Sequence, residues 1–171
     1  MPTIAVLGPG GVGGFLAAAL QRSGVATTVV ARPETAETIA RAGLKVESVR
    51  LGSFTARPAV TSSLDTRVDY LVVATKAAGL DPGLGRIETE PGLVVPLLNG
   101  LDHMAALRER FGSGRVAAGT IRIEADRPQP GVITQTSPFL RVDLAADDPA
   151  LRPAVERLAE LLEAASVPAT V

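Results

Sequence analysis

Glycines stand at Gly8, Gly10 and Gly13, a G-x-G-x-x-G spacing set between the apolar run Thr3-Ile4-Ala5-Val6-Leu7 and the alanine-rich stretch Phe15 to Leu20. In a strand–turn–helix that holds a pyrophosphate, each glycine has a physical task. Gly8 permits a sharp exit from the strand. Gly10 removes the Cβ where backbone must approach a phosphate, and Gly13 lets the helix lie close to the sheet. The helix then offers its unpaired first N–H groups and the positive end of its dipole to the anion. Glycine-rich turns are common in a chain with 17 glycines. It is the strand before and the helix after that turn the spacing into an expected nucleotide site rather than an ordinary βα turn.

Three further residues carry chemistry at the ends of expected strands. A site selective for NAD places Asp or Glu at the end of the second strand, roughly 20 residues after the glycines, to accept from the ribose 2′-hydroxyl. Here Val30-Ala31-Arg32 occupies that neighbourhood, with no acid before Glu34. A guanidinium grips phosphate with two parallel hydrogen bonds and stacks on adenine, so the expectation is NADPH over NADH; the alternative is a solvated Arg. Lys76 follows the apolar run Tyr70 to Ala74 and is one of only two lysines. Its ammonium suits a phosphate, a ribose hydroxyl or a substrate carboxylate, against the alternative of a snorkelling surface lysine. Asn99-Gly100 is a common turn dipeptide. At a strand end facing a cleft, however, its amide can both donate and accept, suiting a nicotinamide ribose or a substrate oxygen.

His103, the only histidine, invites a general-base reading that nothing beside it supports, and it is read as a surface residue of a helix's first turn. Asp143, Asp147 and Asp148 read as turn and helix-start residues. No metal-ligand spacing occurs.

The elements that must position these residues follow from the hydrophobic pattern. Strands are expected at the first apolar run, at Ala26 to Ala31, Leu44 to Val49, Phe54 to Val60, Asp69 to Thr75 and Leu93 to Leu98. Pro96 marks the last of these as an edge or bulge. Between them fall helices from the glycine turn to about Ser23, from Thr35 to Ala42 and from Gly83 to Thr89. Asp102 is placed to cap a helix over Met104 to Arg110. Alternating strands follow over Arg115 to Leu144, and an amphipathic helix over Pro149 to Ala165 buries Leu151, Val155, Leu158, Leu161 and Leu162. The uninterrupted apolar strands predict a doubly wound parallel sheet. The alternating ones predict antiparallel strands toward the C-terminal edge.

Composition sets the limits. The chain has 171 residues, 46% hydrophobic and 20% charged, with net charge −1 and no cysteine. That describes one globular domain without disulfides or thiol chemistry, and without an electrostatic footprint for nucleic acid or an anionic membrane. Neither a signal peptide nor a membrane-length apolar run is evident, so a cytoplasmic location is expected.

Taken together, Leu7-Gly8-Pro9-Gly10-Gly11-Val12-Gly13-Gly14, Arg32, Val73-Ala74-Thr75-Lys76 and Leu98-Asn99-Gly100-Leu101 resemble the N-terminal NADP-binding domain of ketopantoate reductases, with a Rossmann-type α/β fold. The resemblance spans essentially the whole chain, as a single domain over 1–171. It implies NADPH-dependent reduction of 2-dehydropantoate to pantoate, toward pantothenate and coenzyme A. It implies that Gly8, Pro9, Gly10, Gly11, Val12 and Gly13 hold the pyrophosphate and that Arg32 meets the 2′-phosphate. Lys76 and Asn99 would line the nicotinamide end, Asn99 also near the 2-keto acid substrate, with Ala125 at a further cofactor backbone contact. The family's proton-donating lysine belongs to a helical C-terminal domain without counterpart here. The chain alone is accordingly expected to be inactive, and the surface that domain covers is expected to favour a homodimer. The alternatives are a non-catalytic NADP-binding or sensing module, or the nucleotide domain of another β-hydroxyacid dehydrogenase.

Overall fold

The computed structural model describes residues 1–171. Its first half runs β1 (Thr3–Leu7), α1 (Gly11–Arg22), β2 (Ala26–Val30), α2 (Pro33–Ala42), β3 (Leu44–Ser48), β4 (Gly52–Ala56), β5 (Ala59–Thr61), β6 (Tyr70–Val73), α3 (Leu80–Leu84) and β7 (Leu93–Pro96). There follow α4 (Asp102–Phe111), β8 (Ala118–Arg122), β9 (Ala125–Gln129), β10 (Val132–Gln135), β11 (Arg141–Ala145), α5 (Arg152–Ala164) and β12 (Ala169–Thr170).

Five strands form a wholly parallel sheet in the order β5-β2-β1-β6-β7. All four residues of β6 and of β7 are buried, as strands covered on both faces must be. Alternate residues divide between two cores. Ile4, Val6, Val72 and Val95 pack with α1 and α5. Ala5, Leu7, Leu71, Val73 and Val94 pack with Leu80 and Leu84 of α3 and Leu107 and Phe111 of α4. Pro96 closes β7, the outer strand of this sheet, where its missing N–H is tolerated.

Beyond β7 the sheet continues through a single parallel bridge, Val94 to Val116, into the antiparallel pair β8–β11 and then β12. The antiparallel strands expected at the C-terminal edge are there. A second, four-stranded sheet, β4-β3-β10-β9, was not expected as a separate layer. It packs over α1 from the side away from the parallel sheet. Helix α1 is thus enclosed on both sides, and Gly13 to Leu20 are all buried.

Several local expectations need correction. The segment Phe54 to Val60 is two strands, because Arg57-Pro58 ends β4 and lets β5 cross to the parallel sheet. The helix expected at Gly83 to Thr89 begins earlier, at Leu80 after a 3₁₀ turn over Ala77–Gly79, with Pro82 in its first turn where no N–H is needed. Ile87 leaves that helix to bridge Leu64. Asp102 is the first residue of α4 rather than its cap, so its carboxylate acts on the helix dipole instead of on a terminal amide. No helix is long and apolar enough to cross a membrane.

Candidate functional site

The carboxyl ends of β2, β1, β6 and β7 lie side by side, since Leu7 is in register with Val30 and with Val73, and Val73 with Pro96. The residues that follow those ends form one rim, in the order Arg32, Gly8 to Gly13, Lys76, Asn99. From β2 to β7 the rim crosses three strand spacings, about 14 Å. Ligands of open α/β sheets bind at such a rim.

The glycine turn is built as its spacing predicts. Gly8 leaves β1 at φ +89, and a Cβ there would come within 2.9 Å of Thr75 Cγ2. A Cβ on Gly13 would collide with the Gly8 carbonyl oxygen, so only glycine lets α1 sit this close to the strand exit. At Gly10, by contrast, a Cβ would meet no protein atom within 4 Å. The absence of a side chain there serves no packing purpose. It leaves the approach to the helix open.

Gly10 is the N-cap of α1, and no side chain caps it. Its own N–H bonds the Gly8 carbonyl at 2.9 Å, and its carbonyl takes the first helical bond, from Gly14. The amides of Gly11, Val12 and Gly13 therefore precede the first helical bond and present their N–H groups outward. Pro9 is buried beneath the turn.

The cationic and amide groups of the rim are available. Arg32, at the N-cap of α2, is exposed, and its guanidinium makes no hydrogen bond or ion pair within the chain; Glu34 does not reach it. Lys76 and Asn99 are exposed and equally free of partners. Ala125 opens β9 with its backbone against α1, since a Cβ on Gly11 would collide with its carbonyl oxygen.

Two features of the site carry no sequence signal. The start of β9 is held by a small polar network: Ser137 Oγ accepts from the Glu124 N–H at 2.9 Å and donates to the Phe139 carbonyl at 2.7 Å. Gln135, 1% exposed, donates from Nε2 to Ser137 and accepts from Ser48 Oγ at 2.7 Å. The other feature is Thr75, whose Oγ1 is buried without a hydrogen-bond partner. As a β-branched residue closing an apolar strand it reads from sequence as ordinary.

His103 corrects an expectation, being only 8% exposed rather than a surface residue. Burial holds its pKa below the ordinary histidine value, with Asp102 opposing. A cavity of about 600 Å³ runs along β5 at the edge of the parallel sheet, lined by Thr3, Gln21, Arg57, Thr61, Asp65 and Arg67 among others. None of the rim residues lines it. No three side chains of the metal-ligating types gather anywhere.

The chain as a whole is similar to known proteins. Residues 4–146 match the family described as ketopantoate reductase PanE/ApbA. The chain is 33% identical over 142 residues to the 2-dehydropantoate 2-reductase of Caulobacter vibrioides, covering 79% of this chain and 46% of that protein. The crystal structure of 2-dehydropantoate 2-reductase from Porphyromonas gingivalis W83 superposes with a TM-score of 0.83 at 30% identity, over 99% of this chain and 64% of that one. A ternary structure of D-mandelate dehydrogenase with NADH and anilino(oxo)acetate reaches a TM-score of 0.87 at 22% identity, over 98% of this chain and 56% of that one. That last likeness concerns the fold. The chain spans about half the length of the curated relatives it matches.

Proposed function

The chain belongs to the ketopantoate reductase family, and from that premise we propose that it is the NADPH-binding part of an oxidoreductase that reduces 2-dehydropantoate to pantoate in the cytoplasm. The observation that carries the reading is the rim itself: an unpaired guanidinium, an open glycine turn, an unpaired ammonium and an exposed amide in register across four parallel strands.

The residues fit a phosphorylated dinucleotide. Gly10 leaves clear the space a Cβ would fill, and the first amides of α1 supply donors and a positive dipole end for a pyrophosphate. Pro9 shapes the turn, and the Ala125 backbone flanks the cradle. Arg32 stands where a 2′-phosphate would lie, and Glu34 is not positioned to bind a 2′-hydroxyl in its stead. Lys76 and Asn99 attend the nicotinamide end, Asn99 also orienting the carbonyl of a 2-keto acid. When bound, the dinucleotide supplies a hydride. The residues of this chain bind the cofactor, and we assign the proton donor to none of them.

The test is a fluorescence titration with NADPH and NADH side by side, repeated with Arg32→Ala. Charge-assisted hydrogen bonds contribute about 1.5–3 kcal/mol, so NADPH should bind ~10- to 100-fold tighter and Arg32→Ala should erase the margin. Equal affinities in the unsubstituted chain would refute the 2′-phosphate assignment, and no binding of either would refute the site.

A further inference from the structure

In this chain one buried side-chain oxygen or nitrogen lacks a hydrogen-bond partner, and it is Thr75 Oγ1. A buried hydroxyl without a partner is unfavourable and rare, and a ligand that completes it is one physical reason for its presence. Thr75 follows β6 directly before Lys76. Its methyl lies against the first glycine of the turn: a Cβ on Gly8 would be 2.9 Å from Thr75 Cγ2, and one on Gly83 would be 3.4 Å away. Thr75 therefore sits at the centre of the rim, on the β7 side of the glycine turn. Arg32 and the adenosine side lie the other way.

From this placement we propose that Thr75 is a further cofactor-binding residue, its hydroxyl completed by a phosphate or ribose oxygen on the nicotinamide side of the pyrophosphate. The inference rests on the NADPH reading of the rim. Because Oγ1 is covered in the free chain, the contact requires a rotation of Thr75 about χ1 or a shift of the 3₁₀ turn Ala77–Gly79. That turn is short, held by backbone bonds from Gly79 N–H to the Lys76 carbonyl at 2.8 Å and from Leu80 N–H to the Ala77 carbonyl, and both its alanines are exposed. A hydroxyl can donate to a phosphate oxygen or exchange bonds with a ribose hydroxyl, whereas an isosteric valine does neither.

The free and bound states should respond in opposite directions. Thr75→Val removes the orphan while keeping the shape. The unliganded chain should melt no lower than the parent and up to ~2–4 °C higher, while NADPH binding weakens by about three- to tenfold. Thr75→Ser keeps the hydroxyl and should hold NADPH affinity within about twofold. Adenosine 2′,5′-bisphosphate, which lacks the nicotinamide half, should bind the Val variant as it binds the parent; this also shows that the variant is folded. Unchanged NADPH affinity in Thr75→Val overturns the inference and leaves the site reading standing. So does a lowered melting temperature of the free Val variant, which would mean that the hydroxyl has a partner inside the protein. If the unsubstituted chain binds no NADPH, the reading of the site falls first and this inference with it.

Discussion

The carbonyl oxygen of Ala125 occupies the position that a side chain on Gly11 would need. The second sheet is therefore seated directly on the first turn of the glycine helix, and the cradle cannot be altered there without moving β9. Next to it, Gly10 faces open space and has an extended backbone, φ −74 and ψ −165, that any residue adopts.

Neighbouring glycines should thus fail in different ways. Gly11→Ala should lower stability by about 1–3 kcal/mol, the usual cost of forcing atoms into a packed contact. Gly10→Ala should leave stability within about 0.5 kcal/mol yet weaken NADPH at least tenfold, because its methyl intrudes only on a ligand. Urea unfolding and a nucleotide titration on both variants check this. Equal loss of stability in the two would contradict the separation.

The side chains of Lys76 and Asn99 make no bond within the chain, so their removal should be silent in unfolding and visible in binding. Lys76→Ala is expected to weaken NADPH about tenfold and Asn99→Ala about threefold, with melting temperatures unchanged to within about 2 °C. Calorimetric titration gives the affinities. A drop in melting temperature without a loss of affinity would assign both residues to the scaffold.

His103 links stability to pH. Burial lowers its folded pKa, so the unfolded chain binds the proton more readily. The associated stability is complete above the unfolded value of about 6.5 and is lost as pH falls from there through the folded value. Melting temperature should decline between about pH 7 and 5, and His103→Gln should flatten that part of the curve. Parallel curves for parent and variant would discount the effect.

Asp69 acts at lower pH. Its Oδ2 accepts from the Thr3 N–H at 2.8 Å and from Thr3 Oγ1 at 2.9 Å, tying the starts of β1 and β6 together and holding its pKa below the ordinary 3.8. The clasp contributes above the unfolded pKa and disappears as pH falls through the folded one. Because the group is exposed, Asp69→Asn should cost only about 1 kcal/mol at neutral pH. The difference from the parent should narrow below about pH 3, which denaturant unfolding at the two pH values would reveal.

Self-association is the remaining expectation. The large apolar side chains left exposed include Val49 and Phe139, on segments joined by an Arg50 Nη1 bond to the Pro138 carbonyl at 3.4 Å. Sedimentation at rising concentration should show a dimer that Phe139→Ser weakens. A monomer throughout would count against it.

The parallel sheet was legible because a strand buried on both faces has to be apolar throughout, as Leu71 to Val73 and Leu93 to Val95 are. Their ends then located Lys76 and Asn99 on one rim, and the glycine spacing located the turn. The second sheet was not legible. β9 carries Asp126, Arg127 and Pro128 and is mostly exposed, so it has no hydrophobic period of its own. It exists through pairing with β10, which in turn pairs in parallel with the distant β3. Thr75 escaped for a related reason: its missing partner is a property of three-dimensional packing that composition does not record. The burial of His103 depends likewise on how α4 lies against the parallel sheet.

A helix on a protein's surface has a wet side on which substitutions accumulate with little effect. Helix α1 has no such side between Gly13 and Leu20, where every residue is enclosed by one sheet or the other. Its small residues are a matter of clearance, with Ala17, Ala18 and Ala19 each 0% exposed. In a saturation mutagenesis library this helix should stand out as a nearly continuous block of intolerance, while exposed Arg32 and Lys76 accept almost any residue until selection is applied for nucleotide.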